Sequence, residues 1–320
     1  MQENKIFGIN GPVVTVKGKT DLEMMETVYV GNAGLIGEVI KVDSDFTTIQ
    51  VYEETTGLRP GEPVVSTGSP MSVTLGPGIL GNIFDGIERP LPEIEKKFGP
   101  FIGRGANFSS LDTEKKYSVT VKAKVGDRLS GGDIFAECPE TDIITHKAMV
   151  SPYLSGEVTE VAPDGEYTVN DTIIKLKTDS GEIKELTLCQ KWPIRNPRPI
   201  KKRLPAVKPL ITGQRVIDSV FPIAKGGAAA IPGGFGTGKT MTQHQLAKWC
   251  DADIIIYVGC GERGNEMTQV LTEFSELIDP KSQKPLLSRT VLIANTSNMP
   301  VAAREASIYT GITLAEYYRD

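Results

Sequence analysis

No stretch limits the possible folds of this sequence more than Gly233-Gly234-Phe235-Gly236-Thr237-Gly238-Lys239-Thr240, a complete G-x-x-x-x-G-K-[ST] run. It lies between a short apolar stretch, Ala228–Ile231, and a segment from Lys239 to Trp249 that reads as a helix. Glycines let the backbone curl tightly, so that its N–H groups converge on phosphate oxygens. The start of a helix adds unpaired donors and a partial positive charge. The chemistry that follows is local: Lys239 reaches the β- and γ-phosphates, and the Thr240 hydroxyl ligates Mg²⁺. The nucleotide contacts expected on this reading are Gly233, Gly234, Phe235, Gly236, Thr237, Gly238, Lys239, Thr240 and Met241.

The surroundings suit that loop. From about residue 205 apolar runs alternate with helical stretches: Ile254–Val258, a helix near 267–277, Val291–Ala294, then a helix over 301–319. Continuously apolar strands separated by helices predict a parallel sheet covered on both faces. Ligands of such sheets bind beyond the carboxyl ends of the strands. Gly259-Cys260-Gly261-Glu262-Arg263-Gly264-Asn265-Glu266 follows Ile254–Val258 directly. Glu262 is therefore a candidate base that polarises water, and Arg263 a candidate partner that orients it or neutralises transferred charge. The alternative for Glu262 is a solvated loop carboxylate.

The rest of the chain reads as β-rich. Residues 1–70 hold short strands such as Val13–Val16 and Leu35–Ile40, bounded by Gly, Asn or Asp, and predict a small β-barrel. Residues 71–114, rich in Gly and Pro, read as a connector with a short helix at most. Residues 115–190 form a second β-rich unit with an internal echo: Gly126-Asp127 and Gly132-Asp133-Ile134 return as Gly165-Glu166 and Asn170-Asp171-Thr172-Ile173. This unit resembles the folded-over barrel of lipoyl and biotinyl carrier domains, with Lys147 near the place of their modified lysine. That scaffold recurs without a cofactor, so a rigid protruding module is the reading adopted. Residues 191–320 read as a nucleotide-binding domain.

Composition excludes several classes. Of the 320 residues 39% are hydrophobic and 23% charged, as in ordinary globular proteins. A net charge of −5 argues against a nucleic-acid surface. The basic run Arg195, Arg198, Lys201, Lys202 and Arg203 reads as a solvated linker. Four scattered cysteines without a CxxC pair argue against a metal site or a disulfide framework and fit a reducing cytosol. No signal peptide is evident, and no apolar run nears the roughly 20 residues of a spanning helix.

Several stretches carry a closer resemblance. Val51-Tyr52-Glu53-Glu54-Thr55-Thr56-Gly57, Gly213-Gln214-Arg215-Val216-Ile217-Asp218 and Pro222-Ile223-Ala224-Lys225-Gly226-Gly227 are three of them. Gly261–Glu266 and Asn295-Thr296-Ser297-Asn298-Met299-Pro300-Val301-Ala302-Ala303-Arg304-Glu305 are two more. Together with Phe235 and the 115–190 insertion, they make the chain resemble the catalytic A subunit of V/A-type rotary ATPases over its whole length. The resemblance implies a multidomain chain: a β-barrel, a lipoyl-like insertion (bulge) module and part of a RecA-like α/β domain with a P-loop. It implies ATP or ADP with Mg²⁺, Lys239 and Thr240 as phosphate and Mg²⁺ contacts, Glu262 as base and Arg263 as its neighbour. It further implies B subunits alternating with A subunits in a hexamer, central- and peripheral-stalk partners, and a peripheral place on the cytoplasmic face of a membrane. The barrel would join a ring crown and the 115–190 module would project outward. Thr237 stands where some eukaryotic relatives place a redox-sensitive cysteine, and Cys260 is expected to serve in packing. The sequence ends at Asp320, before the acidic Walker B residue that the resemblance implies, so this chain alone is expected neither to hydrolyse nor to make ATP. The competing readings are another RecA-like motor ATPase and a non-catalytic docking module with a vestigial loop.

Overall fold

The computed structural model describes residues 4–99, 102–106, 108–234, 236–280 and 282–320. Six antiparallel strands open the chain: β1 (Ile6–Asn10), β2 (Val13–Lys17), β3 (Glu26–Val30), β4 (Leu35–Val42), β5 (Phe46–Val51) and β6 (Val64–Pro70). Their order is β1-β2-β5-β4-β3-β6. The two outer strands meet, with Ile6 N donating to Glu62 O at 2.9 Å and Val64 N to Asn4 O at 2.8 Å, and the sheet closes into a barrel. The alternation of Val13-Val14-Thr15-Val16 turns Val14 and Val16 inward, where they pack with Val28, Val30, Leu35, Val39, Ile49 and Val51.

The connector does more than link. Beyond β7 (Ser72–Leu75) it contributes β8 (Ile83–Phe84) and α1 (Leu91–Phe98). The insertion follows, with β9 (Tyr117–Val121), β10 (Arg128–Leu129), β11 (Ile134–Pro139) and β12 (Thr145–Met149), then β13 (Gly156–Val161), β14 (Gly165–Tyr167), β15 (Ile174–Thr178) and β16 (Ile183–Leu186). Two four-stranded sheets result, β10-β13-β15-β16 and β12-β11-β9-β14, around Phe135, Val158, Ile173, Ile174 and Leu176. The sequence echo has a structural basis. Asp133 accepts from the backbone N–H and hydroxyl of Ser130, and Asp171 from those of Thr168, so the same carboxylate-closed turn is used twice. Lys147 is not at a hairpin tip: it lies in the middle of β12, exposed and opposite Glu137.

The chain returns through β17 (Gln190–Pro193), antiparallel to β7, and enters the last region. This holds β18 (Pro209–Leu210), α2 (Arg215–Val220), β19 (Ile223–Ala224), α3 (Lys239–Trp249), β20 (Ile255–Glu262), α4 (Gly264–Glu276), β21 (Thr290–Thr296) and α5 (Val301–Arg319). Its sheet is parallel, in the order β20-β21-β8. Both faces are covered, which is why the strands are apolar without alternation. Val291, Ile293, Ile256 and Val258 pack with α5, while Ile255, Tyr257 and Leu292 pack with Met267, Val270 and Phe274 of α4. Gly311 permits the close approach of α5; a Cβ there would stand 2.4 Å from Val258 Cγ2.

Three expectations need correction. Ala228–Ile231 forms no ladder among the described residues; Ala228–Ala230 are exposed, so neither a partner strand nor core contacts hold them as a strand. The connector supplies a strand of the nucleotide-binding sheet, because Ile83 and Phe84 find their pairing partner in β21, some two hundred residues away in sequence. The basic run is not uniformly solvated. Arg198 is buried, its Nε donating to Asp320 Oδ2 at 2.7 Å and its guanidinium lying over Trp192. Arg195 donates to both carboxylate oxygens of Glu38 at 2.9 and 2.8 Å and stacks on Tyr309, tying the barrel to α5.

Candidate functional site

The glycine-rich loop leads into α3 through two residues in the left-handed region, Gly236 with φ 78° and Gly238 with φ 83°. Side chains other than glycine adopt that region at a cost, which accounts for glycine at both places. Gly238 is the N-cap of α3 and supplies no side-chain cap, so the first N–H groups of the helix keep their donors. Lys239 Nζ folds back over the loop, donating to the carbonyl oxygens of Gly233 at 2.6 Å and Gly234 at 2.5 Å. Thr237 Oγ1 donates to Gly234 O at 2.9 Å, and the absent Cβ of Gly233 leaves room for that hydroxyl. Thr240, in the first turn of α3, is half-buried, and Met241 is exposed. Phe235 lies outside the described residues. The loop thus gathers a cation, two left-handed glycines and an uncapped helix start, a combination suited to an anionic phosphate chain.

Glu262 is not a loop residue. The strand continues past Val258, and a bulge between Cys260 and Glu262, with Gly261 at φ 78°, keeps Glu262 in β20 opposite Thr296. Arg263 is the extended residue between strand and helix, and α4 starts at Gly264. The third residue of α4 is Glu266. The neighbouring Glu266 carboxyl and burial push the Glu262 carboxyl up to about 7, against the opposing pull of Arg263. Cys260 is exposed rather than packed, its thiol donating to Arg304 O at 3.2 Å.

Below the strand end lies a pair that the sequence did not announce. His244 of α3 is buried, and its Nε2 sits 2.9 Å from the Tyr257 hydroxyl of β20. Burial holds the imidazole below its usual range, and burial together with the charges of Glu262 and Glu266 pushes the Tyr257 hydroxyl up to about 12. Both groups are therefore neutral near pH 7, and their hydrogen bond joins the helix of the glycine loop to the strand of Glu262. Lys248 of α3 pairs with Glu273 and ties the same helix to α4. The signal that could have found this bridge is the i, i+4 spacing of His244 and Lys248 on one face of α3.

A parallel sheet with a glycine-rich loop at a helix start and a carboxylate at the neighbouring strand end defines the class of P-loop nucleotide-binding proteins. Three family models match in chain order. They are the beta-barrel domain of the ATP synthase alpha/beta family over residues 6–68, its barrel-sandwich domain over 108–195 and its nucleotide-binding domain over 213–320. The chain belongs to the ATP synthase alpha/beta family. It is 62% identical over 319 residues to the V-type ATP synthase alpha chain of Halothermothrix orenii, covering all of this chain and 54% of that relative. It is 61% identical over 315 residues to the V-type ATP synthase alpha chain 2 of Clostridium tetani, covering 98% of this chain and 53% of that one. The chain thus spans about half the length of the curated relatives it matches. Among solved structures, the assembled ATPase EscN of the enteropathogenic E. coli type III secretion system superposes with a TM-score of 0.59 at 21% identity, over 99% of this chain and 54% of that one, a likeness of fold. No helix among the described residues is long and apolar enough to cross a membrane.

Proposed function

We propose that this chain provides the phosphate-binding and water-activating parts of the catalytic A subunit of a V/A-type rotary ATPase, which interconverts ATP with ADP and phosphate and couples that reaction to H⁺ or Na⁺ transport. The observation that carries this reading is the uncapped α3 start with Lys239, in a family-matched nucleotide-binding domain whose next strand, β20, ends at Glu262.

Lys239 exchanges its two loop carbonyls for β- and γ-phosphate oxygens, and the N–H groups from Gly236 to Thr240 hold the rest of the phosphate chain. The cradle suits a Mg-nucleotide: the Thr240 hydroxyl, one residue beyond Lys239, would hold Mg²⁺ alongside phosphate oxygens and water. Bound there, the ion offsets the negative charge of the transferring phosphoryl group. Glu262, once ionised, accepts the proton of the attacking water, and Arg263 favours its ionised form. The site works in a hexamer with B subunits, with central and peripheral stalks as further partners, on the cytoplasmic face of a membrane. The domain divisions proposed are 1–70, 71–114, 115–190 and 191–320.

The test is ATP hydrolysis by the complex assembled with B subunits. Glu262→Gln keeps shape and hydrogen bonding but not basicity, and turnover should fall by roughly 100-fold or more, the usual weight of a general base. Unchanged turnover would remove Glu262 from this role.

A further inference from the structure

A cleft of about 840 Å³ opens between the barrel and the nucleotide-binding sheet, away from the glycine loop. The barrel contributes residues 52–56 to its walls, and the connector contributes Asp85, Arg89 and Arg104. The loop after β21 and the first turn of α5 complete it, with Pro300, Val301, Ala303 and Arg304. The buried acids of the cleft are already paired. Arg89 lies between Asp85 and Glu53, at 2.7 and 3.2 Å, and all three are buried. Glu53 also accepts from the backbone N–H groups of Ile36 and Gly105. The exposed Glu54 accepts from the Thr56 hydroxyl. Among the described residues no carboxylate pairs with Arg104 or Arg304; Arg304 Nε donates to Met299 O at 3.2 Å.

The start of α5 stands at this wall. Its N-cap, Pro300, offers no side-chain cap, and Arg304 N is the first to bond back, to Pro300 O at 3.2 Å. The N–H groups of Val301, Ala302 and Ala303 therefore keep their donors, at the positive end of a 19-residue helix. An independent observation points to a ligand at the same place. Asn295 is fully buried and forms part of the cleft, yet neither its amide nitrogen nor its amide oxygen has a hydrogen-bond partner. Its side chain faces α5, as do Val291 and Ile293 on the same face of β21. A Cβ added at Gly86 would stand 2.3 Å from Ala303 O and 2.7 Å from Asn295 Nδ2, so the amide lies beside the first turn of the helix. A buried amide without partners is costly, and a polar occupant of the cleft explains it.

We propose that this cleft is a second anion site, separate from the glycine loop, and that it takes the phosphate group of a small molecule, free or esterified. The helix N–H groups and the guanidinium groups of Arg304 and Arg104 offer donors to several oxygens at once, which suits a tetrahedral dianion. Asn295 adds an amide beside them. The site adjoins the end of β20. Arg304 packs on Gly261, whose added Cβ would stand 3.1 Å from Arg304 Cδ, and the Cys260 thiol donates to Arg304 O. An anion held by Arg304 thus bears on the strand end that carries Glu262.

The test is calorimetric titration of the Lys239→Ala chain, in which the glycine loop has lost its cation, with inorganic phosphate, ribose 5-phosphate and ribose. Both phosphates should bind saturably, and ribose should not. Tighter binding of the ester assigns the cleft to a phosphorylated metabolite, and equal binding assigns it to free phosphate. In the same background Arg304→Gln, and separately the exposed Arg104→Gln, should each weaken phosphate binding by about 10-fold or more, the weight of one charge-assisted hydrogen bond, with the denaturation midpoint unchanged. Phosphate should also slow amide hydrogen exchange at residues 301–303, read by mass spectrometry, and Arg304→Gln should remove that protection at the same phosphate concentration. No saturable phosphate binding, an affinity that both arginine variants leave unmoved, or protection confined to residues 233–240 overturns the proposal.

Discussion

The barrel of β1–β6 and the segment from Lys201 to Gly238 put similar residues to opposite uses. In the barrel, Leu35, Ile49 and Val51 are fully buried, and the outer strands close on each other, so no edge remains open there. In the later segment Leu204, Val207 and Phe221 are 75%, 77% and 70% exposed, and the α3 start keeps its donors uncapped. The barrel's sequence is constrained by packing, whereas the loop's sequence is constrained by glycine dihedrals and one lysine. On the proposed function, stability and phosphate recognition are therefore separable in this chain, and substitutions in one region should leave the property of the other untouched.

The largest effect should come from the barrel core. Leu35→Ala removes a fully buried side chain and should lower stability by about 2–5 kcal/mol, read as a lower denaturation midpoint, with nucleotide affinity of the folded chain unchanged. Loss of affinity at full occupancy of the fold would break the separation. The His244–Tyr257 bridge should show a middle effect, since it belongs to both properties. His244→Phe leaves the Tyr257 hydroxyl without its partner and should cost about 1–3 kcal/mol in urea unfolding, with weaker nucleotide binding as well. A stability loss without any change in binding would place the bridge with the barrel rather than with the loop. The smallest effect belongs to Arg128–Asp179, an exposed pair at 2.7 Å in the insertion. Arg128→Ala should change stability by less than about 1 kcal/mol in the same assay and leave binding alone. A larger change would show that the module depends on surface charge.

The elements that were legible in the sequence are those with local signals. α3 spans Lys239–Trp249 and α5 spans Val301–Arg319, as read, because the glycine loop and Pro300 mark their starts. The barrel strands were marked by their short, even spacing and the Gly, Asn and Asp residues that bound them, and the two-fold echo of the insertion was visible in its aspartates. What stayed hidden depends on contacts distant in sequence. Ile83-Phe84 is too short to announce a strand, and its partner lies in β21. Arg198 reads as solvent-facing until Trp192, Tyr317 and Asp320 close around it. Glu262 was singled out by the motif around it, but its place inside β20 requires the bulge at Gly261.

The central claim is that the loop from Gly233 to Thr240 binds the phosphates of a nucleotide through Lys239. Calorimetric titration of this chain with Mg-ATP, beside its Lys239→Ala variant, tests it most directly. The account predicts saturable binding by the chain and an affinity weaker by roughly 100-fold in the variant, corresponding to about 3 kcal/mol for a lost charge-assisted bond, with both proteins unfolding at the same midpoint. Equal affinities in the two proteins, or no binding by either, would contradict it.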